Sequence, residues 1–188
     1  DRRQRQMCIR DRFTYNLCVR TGAMDVIGSM ITSISSDRRL LALLVAWCFG
    51  GFMEGMAGFG TAVAIPAGML AGLGFEAVPA VLICLLANGV PTPYGSIGIP
   101  TVSVADLVGL DSLHLATVQL VQLAPFFVVM PLFIVLVAGR VADDQGNVAS
   151  VAERLHGVAG VALLSGVSFV GAALVVAMFV GPELAVVV

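Results

Sequence analysis

At 188 residues, with 59% hydrophobic side chains, only 12% charged ones and a mean hydropathy of +1.00, the sequence excludes an ordinary water-soluble domain. Such a domain carries about twice that charged fraction. A net charge of −2 argues against a nucleic-acid partner, and Cys8, Cys18, Cys48 and Cys84 show neither CxxC spacing nor histidines at ligand spacing, so no metal and no cofactor is expected.

The charges are unevenly placed. All ten basic residues are Arg, eight of them before residue 40, and no Arg or Lys occurs from Leu40 to Gly139. The only acids in that interval are Glu54, Glu76, Asp106 and Asp111. The first twelve residues, DRRQRQMCIRDR, hold five Arg and no apolar period, and are set aside as an expression or sequence-assembly remnant or a basic arm. Residues 13–39 are mixed in polarity and read as a loop or interfacial segment. Ser35, Ser36 and Asp37 offer N-cap oxygens, and Arg38 and Arg39 mark a water boundary, cytoplasmic by the positive-inside tendency.

From residue 40 to 188 the sequence predicts a transmembrane core. Uncharged runs cover 40–53, 55–75, 77–105, 112–139 and 155–182. A spanning helix needs about 20 apolar residues, and the last three runs reach that length. Run 40–53 is too short alone, and 40–75 is too long for one helix. GFGT at 58–61, followed by Pro66, interrupts it. The stretch from Asn88 to Pro100 holds three Pro and three Gly and is read as a second break, within 77–109. Runs 112–139 and 155–182 read as ordinary spans, the former kinked by Pro125 and Pro131. Residues 140–154 form an aqueous loop.

Broken backbone at membrane depth leaves N–H and C=O groups unpaired, and is tolerated only inside protein or along a wet cavity. Two such breaks close together are the pattern of discontinuous helices at a transporter's binding site. The fold class is therefore an all-α, multi-span transporter with two re-entrant, Gly- and Pro-rich segments, surrounded by membrane lipid.

Glu54 is the residue with chemistry. Fifteen residues of helix from Arg39 rise about 22 Å at 1.5 Å each, past the middle of a hydrocarbon core about 30 Å thick. A charge there is expensive, so the carboxyl is protonated, paired or in a hydrated cavity. One reading is a proton site coupled to substrate movement. The other is a structural carboxylate accepting from free N–H groups in the Gly55–Gly60 break. Thr61 opens a half-helix after Gly58 and Gly60, and a helix N-terminus suits an anion. In the second break Asn88, Thr92, Gly95 and Ser96 supply uncharged donors. No HExxH motif, nucleophile elbow or acid pair within spans supports an intramembrane enzyme.

The stretches FGGFMEGMAGFGTAVAIPAGMLAGLGF (49–75) and CLLANGVPTPYGSIGIP (84–100), with VRTGAMDVIGSMITSIS (19–35) and FVGPEL (179–184), resemble the L-lactate permease family. The resemblance covers nearly everything from Phe13 onward. It departs from the family pattern at Gly89, where a Thr is usual, and at Ala62, where a Pro follows soon after GFG. Family members are much longer bacterial inner-membrane, multi-pass symporters of lactate, often glycolate too, with a proton. The resemblance thus implies a central fragment of a permease that needs the rest of its chain. Glu54 would be the proton site, and Gly58, Gly60, Thr61, Asn88, Thr92, Gly95 and Ser96 would hold the substrate. Another small anion, such as glycolate or a sulfonate, is the alternative cargo.

Overall fold

A computed structural model of the protein describes residues 37–56, 60–142 and 150–179, with isolated positions between 20 and 35. The segment 1–12, most of 13–36, Gly58, the loop 143–149 and everything from Val180 on lie outside the described residues. Among the described residues the elements are all helical.

Helix α1, Arg38–Met56, is long and apolar enough to cross a membrane. It starts where Asp37 Oδ1 accepts from Arg39 N–H at 2.9 Å, the capping role the sequence suggests. Its middle, Leu43–Phe49, is wound as a π-helix. Run 40–53 is therefore not a truncated span, because Glu54 is carried inside the helix rather than ending it. The short helices α2 (Thr61–Gly72) and α3 (Ala77–Asn88) follow, each of 12 residues. At 1.5 Å per residue each rises about 18 Å, short of a crossing. A 3₁₀ turn at Thr92–Tyr94 leads into α4, Gly95–Val108. Then come α5 (Ser112–Ala142, 31 residues), α6 (Val151–Leu155) and α7 (Ala159–Phe179). Both α5 and α7 are long and apolar enough to span. The run 155–182 does not begin as one helix, since Leu155 closes α6 and a turn precedes Ala159.

Both breaks are shorter than the sequence suggests. Pro66 lies inside α2 and Pro100 inside α4. Each stands sixth in its helix, early enough that the ring costs a single backbone hydrogen bond to a first-turn carbonyl. The first interruption is confined to the residues between Met56 and Thr61, and Gly60 enters α2 at φ +95°, a left-handed conformation that suits glycine. The second spans Gly89 to Tyr94, with Gly98 at φ +71° bending the start of α4.

Contacts between distant residues fix the helix directions. The Arg38 guanidinium lies over the Phe75 ring, 5.7 Å from its centroid, in the turn joining α2 to α3. Arg39 Nη1 donates to Arg154 O at 2.7 Å, and a Cβ on Gly139 would lie 3.4 Å from Arg154 Cβ. The start of α1, the α2–α3 turn, the end of α5 and helix α6 therefore share one arginine-rich end. From it α1 rises, α2 returns, and α3 rises again to the second break. The last long helix, α7, starts back at the arginine end, where α5 arrives. Trp47, Phe127 and Phe169 join α1, α5 and α7, with centroid separations of 6.3, 5.8 and 5.0 Å.

Candidate functional site

Glu54 sits in the last turn of α1 and is buried to 2% exposure, with Thr101 one of two buried polar residues among the described ones. Two parts of the second break close on its carboxyl. Asn88, the last residue of α3, is its side-chain hydrogen-bond partner. Gly95, the first residue of α4, packs its Cα against Oε1: a Cβ there would overlap that oxygen and lie 3.1 Å from Cδ. Glu54 Oε2 and Asn88 Oδ1 are both buried without a partner. The bond therefore runs from the Asn88 amide N–H to Oε1, which leaves Asn88 Oδ1 and Glu54 Oε2 over.

The first break approaches on the same face. Gly50, one turn before Glu54, lies where an added Cβ would meet Ala62 O at 3.6 Å. The first N–H groups of α2, at Gly60 and Thr61, thus open beside the turn that carries Glu54. Val63 N and Ala64 N already donate to Gly60 O, at 3.2 and 3.0 Å. Along α2 and α3 runs an apolar groove of about 560 Å³, from Ala71 and Ala77 up to Gly60 and Leu85.

The structure thus brings Glu54, Asn88 and Gly95 together, with Gly60 and the start of α2 one turn away. Thr92 is placed otherwise: it is exposed, and its hydroxyl donates to Asn88 O at 2.7 Å. Ser96 follows Gly95 in α4, and the side chains of Ser96 and Thr61 lie outside the described residues, as does Gly58. Glu76, Asp106 and Asp111 are exposed, although Asp106 stands in the last turn of α4 rather than in a loop, and Asp111 Oδ2 caps α5 by accepting from His114 N–H at 2.9 Å.

A polar tie behind the second break escaped the sequence. The buried Tyr94 hydroxyl donates to Ala116 O at 2.8 Å. The Thr101 hydroxyl lies 2.8 Å from Pro93 O and 2.9 Å from the Gln119 amide oxygen position. With one proton to give, it donates to Pro93 O and accepts from Gln119 once that amide presents its N–H₂. The available signal was Gln119 itself, an amide in an apolar span where an unpaired polar group is costly.

Helices long and apolar enough to span, packed around shorter interrupted ones with a buried acid where the interruptions meet, are the features of a multi-pass helical membrane protein. The chain belongs to the L-lactate permease family, whose model matches residues 6–188. It is 41% identical over 172 residues to an L-lactate permease of Streptococcus iniae, covering 92% of this chain and 34% of that protein. An L-lactate permease of Bacillus subtilis (strain 168) is 39% identical, with 92% of this chain and 29% of that protein covered. The glycolate permease GlcA of Escherichia coli (strain K12) is 34% identical over the same shares. The chain thus spans about a third of the length of these relatives. No solved structure matches it.

Proposed function

We propose that this chain is the central part of a permease that carries L-lactate, or a related short 2-hydroxy monocarboxylate, together with a proton across the bacterial inner membrane. The observation that carries the reading is the Glu54 carboxyl, 2% exposed and held between Asn88 and Gly95, with no Arg or Lys in the sequence from Leu40 to Gly139. A carboxyl in such surroundings is the standing candidate for a transported proton. The arginine-rich end of α1, α5 and α6 faces the cytoplasm by the positive-inside tendency. Around Glu54, residues Gly58, Gly60, Thr61, Asn88, Thr92, Gly95 and Ser96 form the substrate's surroundings, and the N-terminus of α2 near Thr61 favours its carboxylate.

Replacing Glu54→Gln in the complete permease removes the titratable group and keeps the shape. Proton-gradient-driven lactate accumulation in proteoliposomes is then abolished, and unchanged accumulation would sink the role. The relative named a glycolate permease supports a second cargo reading. Counterflow with lactate, glycolate and a small sulfonate separates the cargoes.

A further inference from the structure

The two leftover oxygens give the site a direction. Asn88 cannot offer its amide N–H to a substrate carboxylate in this arrangement, because it is engaged by Glu54 Oε1. What Asn88 presents is Oδ1, a buried oxygen that can only accept, while Glu54 Oε2 accepts when the carboxyl is ionised and donates once it holds the proposed proton. A substrate carboxylate brought against Asn88 Oδ1 is repelled, whereas a hydroxyl donor is satisfied by it. The donors lie elsewhere: the first N–H groups of α2, which have no carbonyl within their own helix, begin at Gly60 and Thr61, one turn away from Glu54 on the same face of α1. The groove beside α2 and α3, lined by Val63, Ala64, Val81 and Leu85, comes within one turn of Asn88 at Leu85 and is suited to an alkyl group.

The geometry points to Asn88 as the specificity residue for the 2-hydroxyl, an inference that rests on the proposed transport of 2-hydroxy acids. Asn88 Oδ1 accepts the substrate hydroxyl, while the carboxylate is directed to the α2 N-terminus. The rule of selection follows. A monocarboxylate lacking the 2-hydroxyl leaves Oδ1 buried and unpaired. A 2-oxo acid presents a further acceptor to an acceptor. Both are discriminated against by about ten- to a hundredfold, the range for losing one buried hydrogen-bond partner.

The test uses the complete permease in proteoliposomes, with exchange of labelled L-lactate competed by L-lactate, propionate and pyruvate. Wild type should prefer lactate over propionate at least about tenfold. Asn88→Leu, close in size but without acceptor or donor, should reduce the lactate-over-propionate preference about tenfold or more, a ratio that a general loss of activity does not move. Asn88→Thr returns a hydroxyl that can accept, and should recover part of the preference. This arm decides the matter if the leucine variant fails to fold, as judged by its elution in detergent. A lactate-to-propionate preference unchanged in a folded Asn88→Leu variant, or equally absent from Asn88→Thr and Asn88→Leu, overturns the assignment of Asn88. Wild-type permease that exchanges none of the 2-hydroxy acids overturns instead the functional reading beneath it.

Discussion

Gly95→Ala is the sharpest probe of the contact between the breaks. Gly95 has φ −60° and ψ 155°, a conformation open to alanine, so the backbone itself gives no reason for glycine. By chain entropy alone the substitution would stabilise the protein by about 0.4–1 kcal/mol. The added Cβ, however, overlaps Glu54 Oε1 and lies 3.1 Å from Cδ and 3.5 Å from Glu54 O. The carboxyl must leave its seat or α4 must move, and overpacking of that kind costs about 1–3 kcal/mol. The expected net change is a destabilisation of about 1–2 kcal/mol, measured by thermal or denaturant unfolding in detergent. A double-mutant cycle removes ambiguity, because Glu54→Asp withdraws the carboxyl by one methylene. In that background Gly95→Ala should cost at least about 0.5 kcal/mol less. Gly95→Ala as stable as wild type, or strictly additive with Glu54→Asp, would refute the argument that Glu54 occupies the space left by Gly95.

Other substitutions grade the same logic. A Cβ on Gly166 would lie 2.8 Å from Phe127 O and 2.9 Å from Val128 Cα, so Gly166→Ala should destabilise the α5–α7 pair by about 1–3 kcal/mol. Gly160 and Gly171, on the same helix with nothing within 4 Å, should tolerate alanine with a small gain, read as midpoints of unfolding in detergent. At the arginine-rich end, the side-chain bond from Arg39 holds the Asp37 carboxyl below its ordinary value of 3.8. A depressed folded-state value means stability that is present above the unfolded value and lost as the pH falls through the folded one. Asp37→Asn should therefore flatten the acid limb of the stability profile below about pH 4 and leave the neutral region's slope unchanged.

The sequence revealed the acid and hid its neighbours. Glu54 is legible because a carboxylate about 22 Å along an apolar helix has no cheap explanation. Asn88 and Gly95 are legible as members of a break, through the crowding of Gly and Pro, but not as contacts of Glu54. That pairing depends on α2 returning to the arginine end so that α3 can rise beside α1, and no local pattern encodes the return. The lengths of the breaks were misjudged for a related reason. Pro66 and Pro100 each stand where a helix loses only one bond, and a reading by composition cannot tell an early proline from a disruptive one. Thr92 shows what spacing leaves out: its hydroxyl gives its proton to Asn88 O, one turn back along the chain, and keeps only its oxygen as an acceptor.

The glycines opposite prolines make a further point about how such breaks are held. Pro131 has no N–H for the Phe127 carbonyl four residues earlier, and Gly166 of α7 comes against that carbonyl. Pro66 likewise releases the Ala62 carbonyl, and Gly50 of α1 faces it. In each case a glycine of the neighbouring helix leaves room beside the freed oxygen that a side chain would take up. Gly95 uses the same absence of a side chain differently, to admit a carboxyl. One group, Glu54, then touches both ends of the second break through Asn88 and Gly95. Its protonation and the separation of α3 from α4 therefore share a free energy. If the proposed transport is right, linkage requires that a substrate which opens the break changes the proton affinity of Glu54 by the same factor by which the proton changes substrate affinity. A symporter needs that reciprocity, and here a single side chain can supply it.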